Sequence, residues 1–331
     1  MIIAGDIGGT KTVLALYELE SGKVKLFKQA VFPSKGHNSL EEILEKFLSN
    51  EKNIQIETGC FGVAGAVLAG KCKTTNLPWE LDEQKLADFL KAKKVKLLND
   101  LEAAAYGMLF LNPGEKIQLN PDCKNGVPGN IAVIAAGTGL GEAMLFWDGK
   151  QYHPSASEGG HCDFAPTTNL EIDLFQWLKQ HYPDHVSYER ILSGPGLFNI
   201  FRFLTETGVE NPTEALTLRL KTEPDPSAVV SQMALANTDP AAVATLNLFV
   251  SIYGKESSNL SLKCLGTGGL FIGGGIAPKI LPFMKNGKFL EGFFSKGRFL
   301  GLMQSIPVQI ALNPEAPLIG ASNYAARLTS N

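Results

Sequence analysis

The chain has 331 residues, 44% hydrophobic and 19% charged, with a formal net charge of −3 and a mean hydropathy of +0.03. That length suggests roughly two domains rather than one core. The charge excludes the clustered Lys/Arg surface of a nucleic-acid binder, and no apolar run approaches the roughly 18–20 residues of a membrane span. The opening MIIAGDIGG has no basic and no long apolar region, and the five cysteines (Cys60, Cys72, Cys123, Cys162, Cys264) form no CxxC pair. A reducing, cytoplasmic setting is therefore expected, with no disulfide framework and no structural zinc. The lysines between Lys91 and Lys96 read as a solvated helix end. The 34 glycines gather beside apolar strands, where backbone is brought close to something, often phosphate.

A strand at 2–4 is expected to lead into the tight loop Gly5-Asp6-Ile7-Gly8-Gly9-Thr10-Lys11-Thr12. Strands at 13–19 and 23–31, separated by a Ser21-Gly22 turn, complete an antiparallel meander. Leu40, Ile43, Leu44, Phe47 and Leu48 make a helical stripe within 39–49. A small-residue strand at 59–66 and an amphipathic helix at 82–93 precede VKLLNDLEAAAYG, residues 95–107. There a short buried strand stops at Asn99-Asp100 and turns straight into a helix. Asn and Asp are favoured N-caps, and Asn99 with Glu102 fits a variant capping box. A carboxylate at the carboxyl end of a parallel strand is also where α/β proteins bind ligands.

Residues 112–129, rich in Pro, Gly and Asn, mark a domain boundary. After it the pattern restarts with a strand at 131–136, the glycine loop Gly137-Thr138-Gly139-Leu140-Gly141 and a returning strand at 142–147. Residues 169–263 read as mostly helical, with breaks at Ser193-Gly194-Pro195-Gly196, Asn211-Pro212, 224–226 and Asp239-Pro240. A strand at 269–272 ends in Gly273-Gly274-Gly275, and a helix follows from residue 278. A strand at 308–312 leads into a last helix through Gly320 to Arg327.

The two halves match. VKLLNDLEAAAYG (95–107) and VQIALNPEAPLIG (308–320) agree at Val95/Val308, Leu97/Ile310, Glu102/Glu315, Ala103/Ala316 and Gly107/Gly320. Gly8 to Asp100 spans 92 positions and Gly137 to Asn313 spans 176, so the second copy carries an insertion of 84, about the helical region. The reading is a duplicated α/β unit, its copies facing each other across a cleft. A small domain would comprise 1–111 with 314–331, and a larger one 112–313. Asp100 aligns with Asn313, so only the first copy carries the acid.

Phosphoryl transfer needs backbone N–H groups around phosphates, a magnesium ion, an in-line acceptor and a base for the acceptor's proton. Gly8-Gly9-Thr10 and Gly137-Thr138-Gly139 offer two such amide cradles. Asp6 is placed to hold Mg²⁺ through water, since Mg²⁺ keeps several waters and prefers hard oxygen ligands. No GxxxxGK[ST] loop occurs, and a returning strand rather than a helix follows GTGLGEA, so neither a Walker A loop nor a Rossmann fingerprint is present. Gly273, Gly274 and Gly275 end a strand where a bulky side chain would block a planar base. Glu158, His161 and Glu189 bring two carboxylates and an imidazole, groups suited to sugar hydroxyls; Cys162 lacks a second thiolate at zinc spacing.

In this order GDIGGTKT, LLNDLEAAAYG, AAGTGLGEA, EGGHCDFAP, YERILSGPG and FIGGGI resemble the bacterial ATP-dependent glucokinases of the actin-like (ribonuclease H-like) sugar kinase superfamily. The resemblance covers essentially the whole chain, and EGGHCDFAP and ERILSGPG are its specific pieces. It implies that Asn99, Asp100, Glu158, His161 and Glu189 bind glucose hydroxyls, with Asp100 the base for the 6-hydroxyl. It further implies that Gly5, Asp6, Ile7, Gly8, Gly9, Thr10, Gly137 and Thr138 bind ATP phosphates, and that the protein is a homodimer. Lys11-Thr12 and Asn76-Leu77-Pro78-Trp79 are more typical of the related repressor/open-reading-frame/kinase family, which adds Asn76 to the sugar candidates. That family's CxCGxxGC zinc cluster is absent, and the chain opens on a strand with no helix-turn-helix ahead of it. A zinc-dependent kinase and a repressor are therefore not expected. A kinase for another hexose (fructose, mannose or an amino sugar) and an inactive sugar sensor on the same fold stay open at this point.

Overall fold

Ile2, Ile3, Ala4 and Ile7 are all but inaccessible, so β1 (Ile2–Ile7) is buried on both faces, as a strand inside a covered sheet must be. It pairs antiparallel with β2 (Lys11–Glu20) and parallel with β4 (Thr58–Val63). With β3 (Lys23–Pro33) and β8 (Lys94–Asn99) the order is β3-β2-β1-β4-β8. The structure is a computed structural model that describes residues 1–329 except 21–22, 52–53, 75 and 124–126; the expected Ser21-Gly22 turn lies outside the described residues. The chain forms two units, Met1–Glu115 with Tyr152–Ala156 and Asn313–Asn331, and Lys116–Gln151 with Ser157–Leu312.

In the first unit the period of two along the strands divides the core. Ile3, Ile7, Leu14, Leu16 and Phe61 face α1 (Leu40–Leu48) and α2 (Glu83–Leu90). Ile2, Ala4, Val13, Ala15 and Cys60 face α3 (Asp100–Met108) and α13 (Ala316–Leu328). Ser39 and Asp82 cap α1 and α2 through their side-chain oxygens, so both helices start one residue later than the hydrophobic pattern suggests. A small antiparallel sheet of β5 (Val67–Leu68), β6 (Lys71–Lys73) and β7 (Glu80–Asp82) was not expected. Runs of two or three residues are too short to show alternation.

The second unit repeats the plan. β10 (Ile131–Ala136) pairs antiparallel with β11 (Leu140–Trp147) and parallel with β13 (Gly269–Gly273), and β13 is parallel to β14 (Val308–Ala311). A hairpin followed by two parallel strands thus occurs twice, which is the duplication read from the sequence. β9 (Lys116–Gln118), hidden in the Pro/Gly-rich stretch, adds to β14. β12 (Tyr152–Ser157) was not expected either; Tyr152 O accepts from Arg327 Nη1 at 2.9 Å within the first unit. The insertion comprises α4 (Asn169–His181), α5 (Gly194–Glu206), α6 (Glu214–Thr222), α7 (Pro226–Leu235) and α8 (Pro240–Lys263). The breaks are N-cap signals: Ser193, Asp225 and Asp239 each cap a helix with proline in its first turn. α9 (Ile276–Lys279), α10 (Leu281–Met284), α11 (Lys288–Phe294) and α12 (Leu300–Gln304) follow β13, the first beginning two residues before the expected helix. Among the described residues no helix is long and apolar enough to cross a membrane.

The helices of the two matched turns pack on each other. A methyl on Gly107 of α3 would lie 1.9 Å from Ala316 O, and one on Gly320 of α13 would lie 1.8 Å from Ala103 O. Since Ala103 aligns with Ala316 and Gly107 with Gly320, the contact is reciprocal, like that of a twofold dimer. Alanine is ordinarily about 1 kcal/mol better than glycine inside a helix. Here Gly107→Ala and Gly320→Ala should each instead cost about 3 kcal/mol through overpacking. The check is the midpoint of urea unfolding, which should fall at unchanged slope.

Candidate active site

The sequence-predicted residues of the first unit gather around the carboxyl ends of β1, β4 and β8. Asp6 is not in a loop. It lies inside β1, opposite Val13 on one side and Gly62 on the other. α3 starts so close by that a methyl on Gly62 would stand 2.9 Å from Ala103 Cβ and 4.0 Å from Asp100 Cα. The missing side chain at Gly62 therefore lets Asp100 approach Asp6. Burial first, and then the charge of Asp100, pushes Asp6 up to about 6, with Lys11 opposing.

At the β8–α3 turn Asn99 is the cap. Its Oδ1 accepts from Leu101 N at 3.0 Å, its N–H donates to Glu102 Oε2 at 2.9 Å, and its Nδ2 donates to Gly65 O at 3.1 Å. Asp100, the first residue of α3, is exposed and accepts from Leu101 N at 2.8 Å. The expected cap and an outward carboxylate are thus consecutive residues.

The glycine loop is shorter than expected. Gly5 and Ile7 belong to β1, with backbone paired on both sides to Leu14 and Phe61, and to Thr12 and Val63. Gly5 is a packing residue, since a methyl there would meet Phe61 Cδ1 at 2.7 Å. This corrects their placement in the phosphate loop: ladder bonds already occupy their backbone, and apolar residues on both strands carry the pairing further. The loop proper is Gly8-Gly9-Thr10. Ser34 holds it from behind, its N–H donating to Thr10 O at 2.9 Å and its Oγ to Gly8 O at 2.6 Å. Asn76 packs on it, 2.7 Å from where a methyl on Gly9 would be.

In the second unit the hairpin is Gly137-Thr138-Gly139, while Leu140 and Gly141 belong to β11. Gly137 O accepts from Gly194 N at 2.9 Å, which ties the hairpin to the start of α5. Glu189 Oε2 accepts from Leu140 N at 2.9 Å and lies 2.5 Å from where a methyl on Gly139 would be. Glu158 and His161 are exposed on the turn Gly159–His161, with His161 N donating to Glu158 O at 3.0 Å. Tyr188 N donates to Cys162 O at 3.0 Å and Phe164 N to Val186 O at 2.9 Å, so this turn runs beside Tyr188–Arg190. Glu158, His161 and Glu189 are therefore on neighbouring turns. Gly273 ends β13; Gly274 has φ +78°, and a methyl there would strike Ala136 O at 2.3 Å. Open space surrounds the Cβ position of Gly275.

Ser34 and Gly62 escaped the sequence reading. Gly62 left a trace in the small-residue run Gly59-Cys60-Phe61-Gly62; Ser34 left none, because its role depends on β3 returning beside the hairpin. Among the described residues no group of three or more His, Cys, Asp or Glu could hold a metal ion. Two adjacent carboxylates suit an ion that completes its shell with water and phosphate oxygens, as Mg²⁺ does.

Residues 3–328 match the family model described as glucokinase. The chain is 40% identical over 342 residues to a glucokinase of Trichormus variabilis, covering 99% of both, and 38% identical over 348 residues to one of Synechocystis sp., covering 98% of both. The crystal structure of a glucokinase from an Antarctic psychrotroph superposes with a TM-score of 0.87 at 29% identity, covering 98% of each chain.

The raised value at Asp6 has a stability consequence. Its folded value, about 6, lies above the ordinary 3.8, so its favourable contribution is complete below pH 3.8 and is lost as the pH rises to 6. Asp6→Asn should therefore gain up to ~3 kcal/mol of unfolding free energy at pH 7 in EDTA, and no gain at pH 3.5. Urea unfolding at the two pH values is the check.

Proposed function

The chain belongs to the glucokinase family, and from the exposed carboxylate at the β8–α3 turn we propose that Asp100 is the general base of its reaction. The reaction is transfer of the γ-phosphoryl group of ATP to the 6-hydroxyl of glucose. As that oxygen attacks, the O–P bond to glucose forms, the bridging P–O bond to ADP breaks, and Asp100 receives the hydroxyl proton. The single observation behind this reading is that Asp100 is exposed at a helix start built by Asn99, close enough to the half-buried Asp6 for its charge to act there.

The other roles follow by chemistry. Gly8, Gly9 and Thr10, with Gly137, Thr138 and Gly139, would hold the ATP phosphates, and Gly273, Gly274 and Gly275 would leave room for the adenosine. Asp6 would hold Mg²⁺ through water. When bound, the ion offsets phosphate charge that develops in the transition state. Asn99, Glu158, His161 and Glu189 would bind the remaining glucose hydroxyls. Asn76, packed on the Gly8-Gly9-Thr10 hairpin, sits at the junction of sugar and phosphate roles. The buried or half-buried free cysteines Cys60, Cys72, Cys123 and Cys264 support a cytoplasmic setting, and the family supports a homodimer.

Asp100→Asn should fold with a melting temperature no lower than the wild type's and lose about 10²–10⁴-fold in kcat, the usual size of a general-base contribution. ADP release coupled to NADH oxidation measures it, and near-wild-type turnover would remove Asp100 from the role. Light scattering should give twice the 35.7 kDa chain mass; a monomer would refute the dimer.

A further inference from the structure

Beneath the turns that carry Glu158, His161 and Glu189, the second unit buries two carboxyl groups. Glu142 on β11 and Glu256 on α8 are 1% and 0% exposed, and their side chains are in hydrogen-bond contact. One oxygen of each, Glu142 Oε1 and Glu256 Oε1, has no donor among the described residues. Their other contacts lead outward. Glu142 Oε2 lies under Gly159, where a methyl would come within 2.0 Å of it. Glu256 Oε2 accepts from Asn259 Nδ2 at 2.9 Å, and the same amide reaches Tyr188 Oη at 3.1 Å. Tyr188, itself bonded to Glu256, is the neighbour of Glu189. Each of the two turns thus rests on one member of the pair.

The cations nearby do not neutralise it. Lys263 Nζ comes only to 3.6 Å from Glu256 Oε1, on a side chain 56% exposed. Lys255 is engaged by Glu171 and Thr167. Lys296 senses Glu256 but is held below its usual range by burial. Tyr253 and Cys264, the other titratable groups that sense Glu142, are neutral near pH 7, since burial raises both. Two buried carboxylates in contact cannot both ionise, and one proton between them satisfies two oxygens at once.

We propose that Glu142 and Glu256 hold one shared proton and act as positioning residues for the sugar, keeping the turns Gly159–His161 and Tyr188–Arg190 in register until loss of that proton drives them apart. The proposal rests on the reading of Glu158, His161 and Glu189 as sugar ligands. Burial, reinforced by the charge of Glu256 and opposed by Lys263, pushes Glu142 up to about 8. That burial and that neighbouring charge keep a proton on Glu142 at neutral pH.

Two measurements on the full-length enzyme test it. The folded value of Glu142 above the usual 4.5 means that its contribution to stability is complete below pH 4.5 and is lost as the pH rises to 8. Relative to Glu142→Gln, the wild-type unfolding constant should therefore rise by up to about tenfold per pH unit across that window; parallel profiles would overturn the shared proton. Second, the wild-type KM for glucose should rise severalfold between pH 7 and 9 at nearly constant kcat, and Glu142→Gln should flatten the rise. Glu256→Gln should flatten it likewise, which keeps the test intact if one variant fails to fold. An equal rise in a folded variant would overturn the positioning role. Glu158→Gln separates the two readings: if it leaves KM unchanged at pH 7, the sugar assignment fails and the positioning role fails with it, while the unfolding profiles still decide the shared proton.

Discussion

The reciprocal crossing of α3 and α13 is the constraint on which the rest of the first unit depends. Helices approach this closely only where glycine lets backbone meet backbone, and here the two glycines occupy equivalent positions of a duplicated segment. The close approach holds α3 against the sheet, and with it the turn at Asn99-Asp100. Gly62 completes the arrangement, because without a side chain on β4 the start of α3 can settle over the neighbour of Asp6. Three glycines thus determine where a carboxylate stands.

Both units place polar groups against their stability. Asp6 is half-buried in a central strand within reach of another acid's charge, and Glu142 and Glu256 lie in the core of the second unit. Burial of this kind is costly unless the charge is paired, hydrogen-bonded or removed by a proton. In the first unit the cost accompanies a site suited to a cation. In the second it lies directly under the turns read as sugar-binding.

Local features of the fold were legible in the sequence. The Asn99 cap was visible because capping depends on residues two to three apart, and Ser193, Asp225 and Asp239 fall in helix breaks legible from proline and glycine. The meander, the second hairpin and the glycine end of β13 were visible for a similar reason. Boundaries slipped where a strand continues only because its partner does: Gly5, Asp6 and Ile7 look like loop residues alone and become strand when Val13 and Gly62 flank them. The short strands β5, β6, β7 and β9 had no period to display, and β12, with no buried residue, had no apolar alternation.

By itself the sequence determined that this is a duplicated α/β chain with two glycine hairpins, one acid at the strand-to-helix turn and the motifs of a glucokinase, since each of these is written in short segments or in their repetition. Tertiary structure alone decided which glycines offer backbone and which merely make room. It also decided that Asp6 feels the charge of Asp100, that Ser34 braces the first hairpin, and that Glu142 meets Glu256 across 114 positions of chain. The reason is physical. Proximity between residues far apart in sequence comes from packing, and packing is a property of the whole core rather than of any window within it.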